Sequence, residues 1–123
     1  MSYRSATFYY STGTGNSYRA ARWMAQAFGE AGAETRVVQL RDARPRDEVG
    51  DGPECFLCIT LPTHGFTAPW DVITQVIRLP MRRGTGAAVI ASRAGIRVGQ
   101  TCVPGLEGTA AYLIALILLC KGY

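Results

Sequence analysis

Apolar and polar positions alternate along the chain in two distinct rhythms. Solid apolar runs at 6–10, 55–61 and 87–91, and a weaker one at 35–40 carried by Val37, Val38 and Leu40, predict four β-strands. Runs without a polar alternation suit parallel strands that are covered on both faces. Between them the spacing turns helical. Residues 18–31 place Ala20, Met24, Ala27, Phe28 and Ala31 on one face, oppose them with Arg19, Arg22, Gln26 and Glu30, and meet a stop at Gly32. After Pro69, which suits a first helical position, Trp70, Ile73 and Ile77 share a face up to Pro80, and Trp70 is expected to pack against the fold. A last helix is expected over 108–120, ended by Gly122. The polar stretch 41–53, rich in Asp, Arg, Gly and Pro, reads as loop, as does 92–100.

Strands that alternate with helices predict an α/β protein, a parallel sheet wound on both faces, in a single domain over 1–123. In that arrangement the loops after the first, third and fourth strands converge at one edge of the sheet, where ligands of such folds bind. The loop after the first strand is Ser11, Thr12, Gly13, Thr14, Gly15, Asn16 and Ser17. It is built from hydroxyls and glycines, contains no acid, and leads into a helix whose free N–H groups and positive dipole end face the same spot. That is the chemistry of a phosphate cradle. A Walker A loop is excluded because no lysine occurs before Lys121, and the dinucleotide fingerprint fails because Tyr18 stands where its third glycine belongs. Without a ligand, the same residues would be a strand-to-helix turn whose hydroxyls cap the helix.

Composition sharpens this picture in a few places. Apolar residues make up 48% of the chain and charged ones 18%, a globular balance. The opening residues show no secretory pattern, the apolar run 110–120 is too short to span a bilayer, and the expected location is the cytoplasm. The net charge of +4 comes from twelve arginines and one lysine, scattered rather than gathered into a strip. This argues against nucleic acid and for a mild preference for acidic partners. Cys55 and Cys58 spell C-x-x-C within a strand, so they point to opposite faces and make neither a redox pair nor, with Cys102 and Cys120, a zinc or iron–sulfur ligand set. Buried free thiols are expected.

Thr12, Thr14, Gly15 and Ser17 match the flavodoxin phosphate loop, Thr-x-Thr-Gly-x-Ser/Thr, and over nearly its whole length the chain resembles a flavodoxin. Three stretches look most like the flavodoxin-like half of flavodoxin–ferredoxin fusion proteins: residues 9–16, residues 61–66 with Pro69 and Trp70, and residues 121–123. The resemblance implies a doubly wound sheet in the order 2-1-3-4, lacking the family's fifth strand, so that a C-terminally incomplete domain is expected. It implies FMN as cofactor. Ser11 to Ser17 would hold the phosphate, Pro62, Thr63, His64, Gly65 and Phe66 would form the second flavin loop, and Ser92, Arg93, Ala94 and Gly95 the third. Phe66 or His64 is the candidate ring-flanking group. The third loop offers no aromatic, and Arg93 would lie near the ring's pyrimidine edge.

The reading that follows is an FMN-binding electron-transfer domain, working with a redox partner protein or a downstream ferredoxin-type domain. The alternative is a flavin-free flavodoxin-like docking or assembly module. An FMN-dependent reductase would also need a nicotinamide donor, for which no motif is visible. Finally, the helix between Thr109 and Cys120 is apolar on every side. A sheet covers only one side of a helix, so association through this helix, as a homodimer or with a further segment, is expected.

Overall fold

The computed structural model describes residues 3–11, 16–44, 48–62, 70–92, 96–98, 101–103 and 110–123. In chain order these form β1 (Ser5–Tyr10), α1 (Asn16–Glu30), β2 (Glu34–Gln39), a 3-10 turn (Leu40–Asp42), β3 (Cys55–Pro62), α2 (Trp70–Ile77), β4 (Gly86–Ser92), β5 (Ile96–Val98), β6 (Thr101–Val103) and α3 (Ala110–Cys120). β1 to β4 make one parallel sheet in the order β2-β1-β3-β4, as expected from the sequence.

Strand geometry turns the solid apolar runs into two cores, because successive side chains point to opposite faces. Tyr9, Leu57, Ile59 and Leu61 join Val72 and Val76 of α2 and Ile114 and Leu118 of α3 on one face. Ala6, Phe8 and Cys58 meet Ala21 and Ala25 of α1 on the other, with Phe28 and Phe56 stacked at its rim at a ring separation of 4.8 Å. The connection from β1 to β2 therefore crosses one face, and that from β3 to β4 crosses the other.

Two helix ends confirm the glycine stops. Gly32 and Gly122 both adopt positive φ, and the N–H groups that follow them, of Ala33 and Tyr123, reach back to the carbonyls of Phe28 and Leu118. At Gly122 the approach is also close, since a Cβ there would collide with the Arg82 carbonyl.

The helix faces differ from the expected ones. On α1 the buried stripe is Ser17, Ala21 and Ala25, with Met24 and Phe28 half-buried and Ala27 and Ala31 exposed. Alanines occur on most sides of this helix and do not by themselves mark a face. On α2 the sheet covers Val72 and Val76, while Trp70 is 75% exposed and Ile77 faces outward. Trp70 is thus not a packing residue. It is the first residue of α2, on the helix side turned away from the sheet. The segment after β4 is also not all loop, because β5 and β6 pair as an antiparallel ribbon. A Gly-x pair between the triplets 96–98 and 101–103 is the hairpin signal that reveals it in sequence. Cys55 and Cys58 are buried free thiols on opposite faces, whereas Cys120 is exposed.

Burial has consequences for titration. The Cys58 thiol is pushed up from 9.0 to about 12 by desolvation. The Tyr9 phenol is also raised by desolvation, with Glu48 adding repulsion, and its hydroxyl finds no hydrogen-bond partner among the described residues. A raised folded-state pKa means that the neutral form contributes stability below the ordinary value and loses it as pH climbs toward the shifted one. Urea unfolding midpoints should therefore fall as pH rises from 9.0 toward about 12, and Cys58→Ala should flatten the part of this slope that the thiol carries. Tyr9→Phe should leave stability at neutral pH unchanged or raise it by about 1 kcal/mol, because it removes a buried hydroxyl that has no partner. Calorimetry or urea titration of the two proteins checks this.

Candidate functional site

The pairing register places three strand ends at one edge. Tyr10, the last residue of β1, lies level with Gln39 of β2 and Thr60 of β3. β3 and β4 run two residues further, ending side by side at Pro62 and Ser92. The edge is thus stepped: β1 and β2 end level, two residues short of β3 and β4, which leaves a recess beyond the end of β1 on its β3 side. Because the chain leaves β1 and β3 toward opposite faces, the recess lies at the point where the winding of the sheet reverses.

α1 begins at this recess. Its first turn contains no acidic residue, so its positive end is not neutralised from within the helix. Two contacts fix it there. The Ser11 N–H donates to the Thr60 carbonyl at 3.0 Å, extending the β1–β3 pairing by one rung. The buried Thr60 hydroxyl donates to the Ser17 carbonyl at 2.9 Å, across the α1 face of the sheet, and lies 3.5 Å from the Tyr9 carbonyl. Thr60 was not singled out from sequence. The signal was there, a hydroxyl within the otherwise apolar run 55–61.

A second feature missed in sequence flanks the same loop. Tyr10 and Tyr18 bracket it and pack at 4.9 Å between ring centroids, tilted by 60°. The Arg22 guanidinium lies 5.7 Å from the Tyr18 ring centroid and donates to its hydroxyl at 3.3 Å. The site's entrance from α1 is therefore aromatic and cationic. On the opposite face, a pocket of about 220 Å³ opens between the ends of β1 and β2 and the start of α2, with Ser11, Gln39, Arg41, Asp71 and Gln75 among its lining.

Of the residues expected to hold a ligand, Ser11, Asn16, Ser17, Pro62 and Ser92 come together on this edge, Asn16 and Ser17 as the first turn of α1 and Pro62 and Ser92 as the final residues of their strands. Thr12, Gly13, Thr14 and Gly15, Thr63, His64, Gly65 and Phe66, and Arg93, Ala94 and Gly95 lie outside the described residues. The three connections that carry them all depart from this edge. Among the described residues, no group of His, Cys, Asp and Glu could hold a metal ion, and no helix is long and apolar enough to cross a membrane.

No family model matches the chain, and no curated protein matches it. Among solved structures the chain is similar to a flavodoxin from the domain Archaea, with a TM-score of 0.67 at 14% identity over 96% of this chain and 75% of that one. The fold is therefore a flavodoxin-like α/β fold, with four parallel strands in the order 2-1-3-4 and helices on both faces.

The Thr60 contact is the part of the site most open to direct test. Thr60→Val keeps the shape of the side chain and removes the tie to Ser17. It should lower the unfolding free energy by about 1 kcal/mol and speed amide exchange in the first turn of α1 by more than the sheet-wide increase that this loss of stability brings. Hydrogen exchange followed by mass spectrometry reads both effects.

Proposed function

We propose that the chain is an FMN-binding, flavodoxin-like redox domain that transfers electrons through a noncovalently bound flavin. The observation that carries this reading is the stepped carboxyl edge, with an acid-free helix start at its recess, and with two connections of flavodoxin-like sequence and a third that lacks an aromatic leaving from it. The chemistry of the donor set fits a phosphate monoester: the sequence from Ser11 to Ser17 supplies hydroxyls and glycine N–H groups and leads into the positive end of α1. Pro62, Thr63, His64, Gly65 and Phe66, together with Ser92, Arg93, Ala94 and Gly95, would border the ring.

When bound, the flavin supplies the one- and two-electron chemistry, and the protein sets binding, orientation and access. Ser11 to Ser17 would hold the phosphate, and the connections after β3 and β4 would set access to the ring. Electrons would pass to a redox partner protein or a ferredoxin-type domain, and the net charge of +4 favours an acidic one. Buried thiols suit a reducing cytoplasm.

FMN added to the purified protein should raise its melting temperature and remain with it, as visible flavin absorbance, through desalting. Thr14→Glu should abolish both effects by placing a carboxylate against the phosphate, while its circular dichroism spectrum stays that of the parent. If saturating FMN leaves the parent protein colourless and its melting temperature unmoved, the redox reading fails, and a flavin-free docking module becomes the better account.

A further inference from the structure

The side of α1 that looks toward β2 carries chemistry that flavin binding does not use. A groove of about 640 Å³ runs there between the helix and the strand. Tyr18, Arg19, Arg22 and Trp23 line it from the first two turns of α1, Gln26 from the third, and Thr35 and Val37 from β2. Trp23 is 71% exposed, so the core makes little use of its indole. β2 is the edge strand opposite β4, and α1 covers the face opposite α2 and α3. Tyr123 packs on that opposite face, and Tyr3 packs against Phe28 and Phe56, on the β3 side of α1. The groove therefore lies beside neither.

Its charge has one sign. Arg19 and Arg22 are the charged residues that line it, and among the described residues neither forms an ion pair. Arg19 closes the first turn of α1, where the helix dipole disfavours a cation, so helix stability does not account for it. Arg22 is held at the groove by the Tyr18 ring and hydroxyl, which orders its guanidinium in advance of any contact.

We propose that this groove docks an acidic segment of a partner protein, with carboxylates on Arg19 and Arg22 and an apolar side chain on the Trp23 indole. Charge and composition select this occupant. Trp, Tyr and Arg are the residue types on which protein interfaces concentrate their binding energy, and residues 18–23 supply all three on one rigid helix. A second copy docked through the same groove would set arginine against arginine. A nucleic acid strand would need cations continuing along the groove, and beyond Arg22 the lining passes to Gln26, whose amide donates to Glu30 at 3.2 Å. The inference is independent of flavin binding.

Fluorescence anisotropy of a labelled peptide of alternating glutamate and leucine, titrated with the protein without added flavin, tests it. The peptide should bind, and more weakly as salt rises. In Trp70→Phe protein, where Trp23 is the one tryptophan, its emission should move to shorter wavelength as the peptide binds. Arg19→Glu should weaken binding by about tenfold, with a melting temperature unchanged or higher because an acid suits that end of α1. Arg78→Glu, at an exposed arginine just past α2, should leave binding as it is. The proposal is overturned by a peptide that does not bind, or that binds the Arg19→Glu protein as tightly as the parent. It is equally overturned by a lysine–leucine peptide or an oligothymidylate that binds as tightly, or by a dimer of the parent protein that Arg19→Glu dissolves.

Discussion

The structure depends on β1 pairing in parallel with two neighbours at once. A parallel neighbour cannot be reached by a tight turn, so each connection must climb over a face of the sheet. With β2 on one side of β1 and β3 on the other, the connections take opposite faces. The two cores, the recess at the end of β1 and the placement of α1 at that recess all follow from this. Thr60 and Ser11 refine the arrangement by locking the end of β3 to the loop end of β1 and the start of α1.

Much of this was legible in the sequence because the strands are short, solid and apolar, and a parallel sheet needs little else. The order of elements and the glycine ends of α1 and α3 were equally plain. Helix faces were not. α1 is so rich in alanine that its apolar residues surround it, and the choice of Ala21 and Ala25 over Ala27 and Ala31 is made by the sheet rather than by the helix. Trp70 misled for a related reason, since a large aromatic outweighs two valines in any hydrophobic count, yet Val72 and Val76 are the residues that fit the close-packed layer against β1 and β3. The ribbon of β5 and β6 was missed because its three-residue strands carry almost no periodic signal, which leaves the Gly-x pair between them as its one mark in the sequence.

For the site, the sequence pointed to residue types and the structure contributes their anchoring. Ser17 and Thr60, 43 positions apart, become partners only once β1 and β3 lie side by side. The Tyr10, Tyr18 and Arg22 stack likewise joins a strand end to a helix start across the loop. The outer face of α3 is the reverse case. Its composition alone required a cover on two sides, and the structure shows Ile114 and Leu118 against the sheet and Tyr112, Leu116 and Leu119 on the side that the sheet does not reach.

The central claim is that the recess at the end of β1, with the positive end of α1 beside it, is a phosphate site. Comparing the affinities of FMN and riboflavin for the same protein tests it most directly, because the two ligands share the ring and differ in the phosphate. Isothermal titration should give FMN an affinity at least about a hundredfold higher, equivalent to about 2.7 kcal/mol from the phosphate contacts, with the advantage only weakly reduced by salt. Equal affinities for the two ligands would contradict the account.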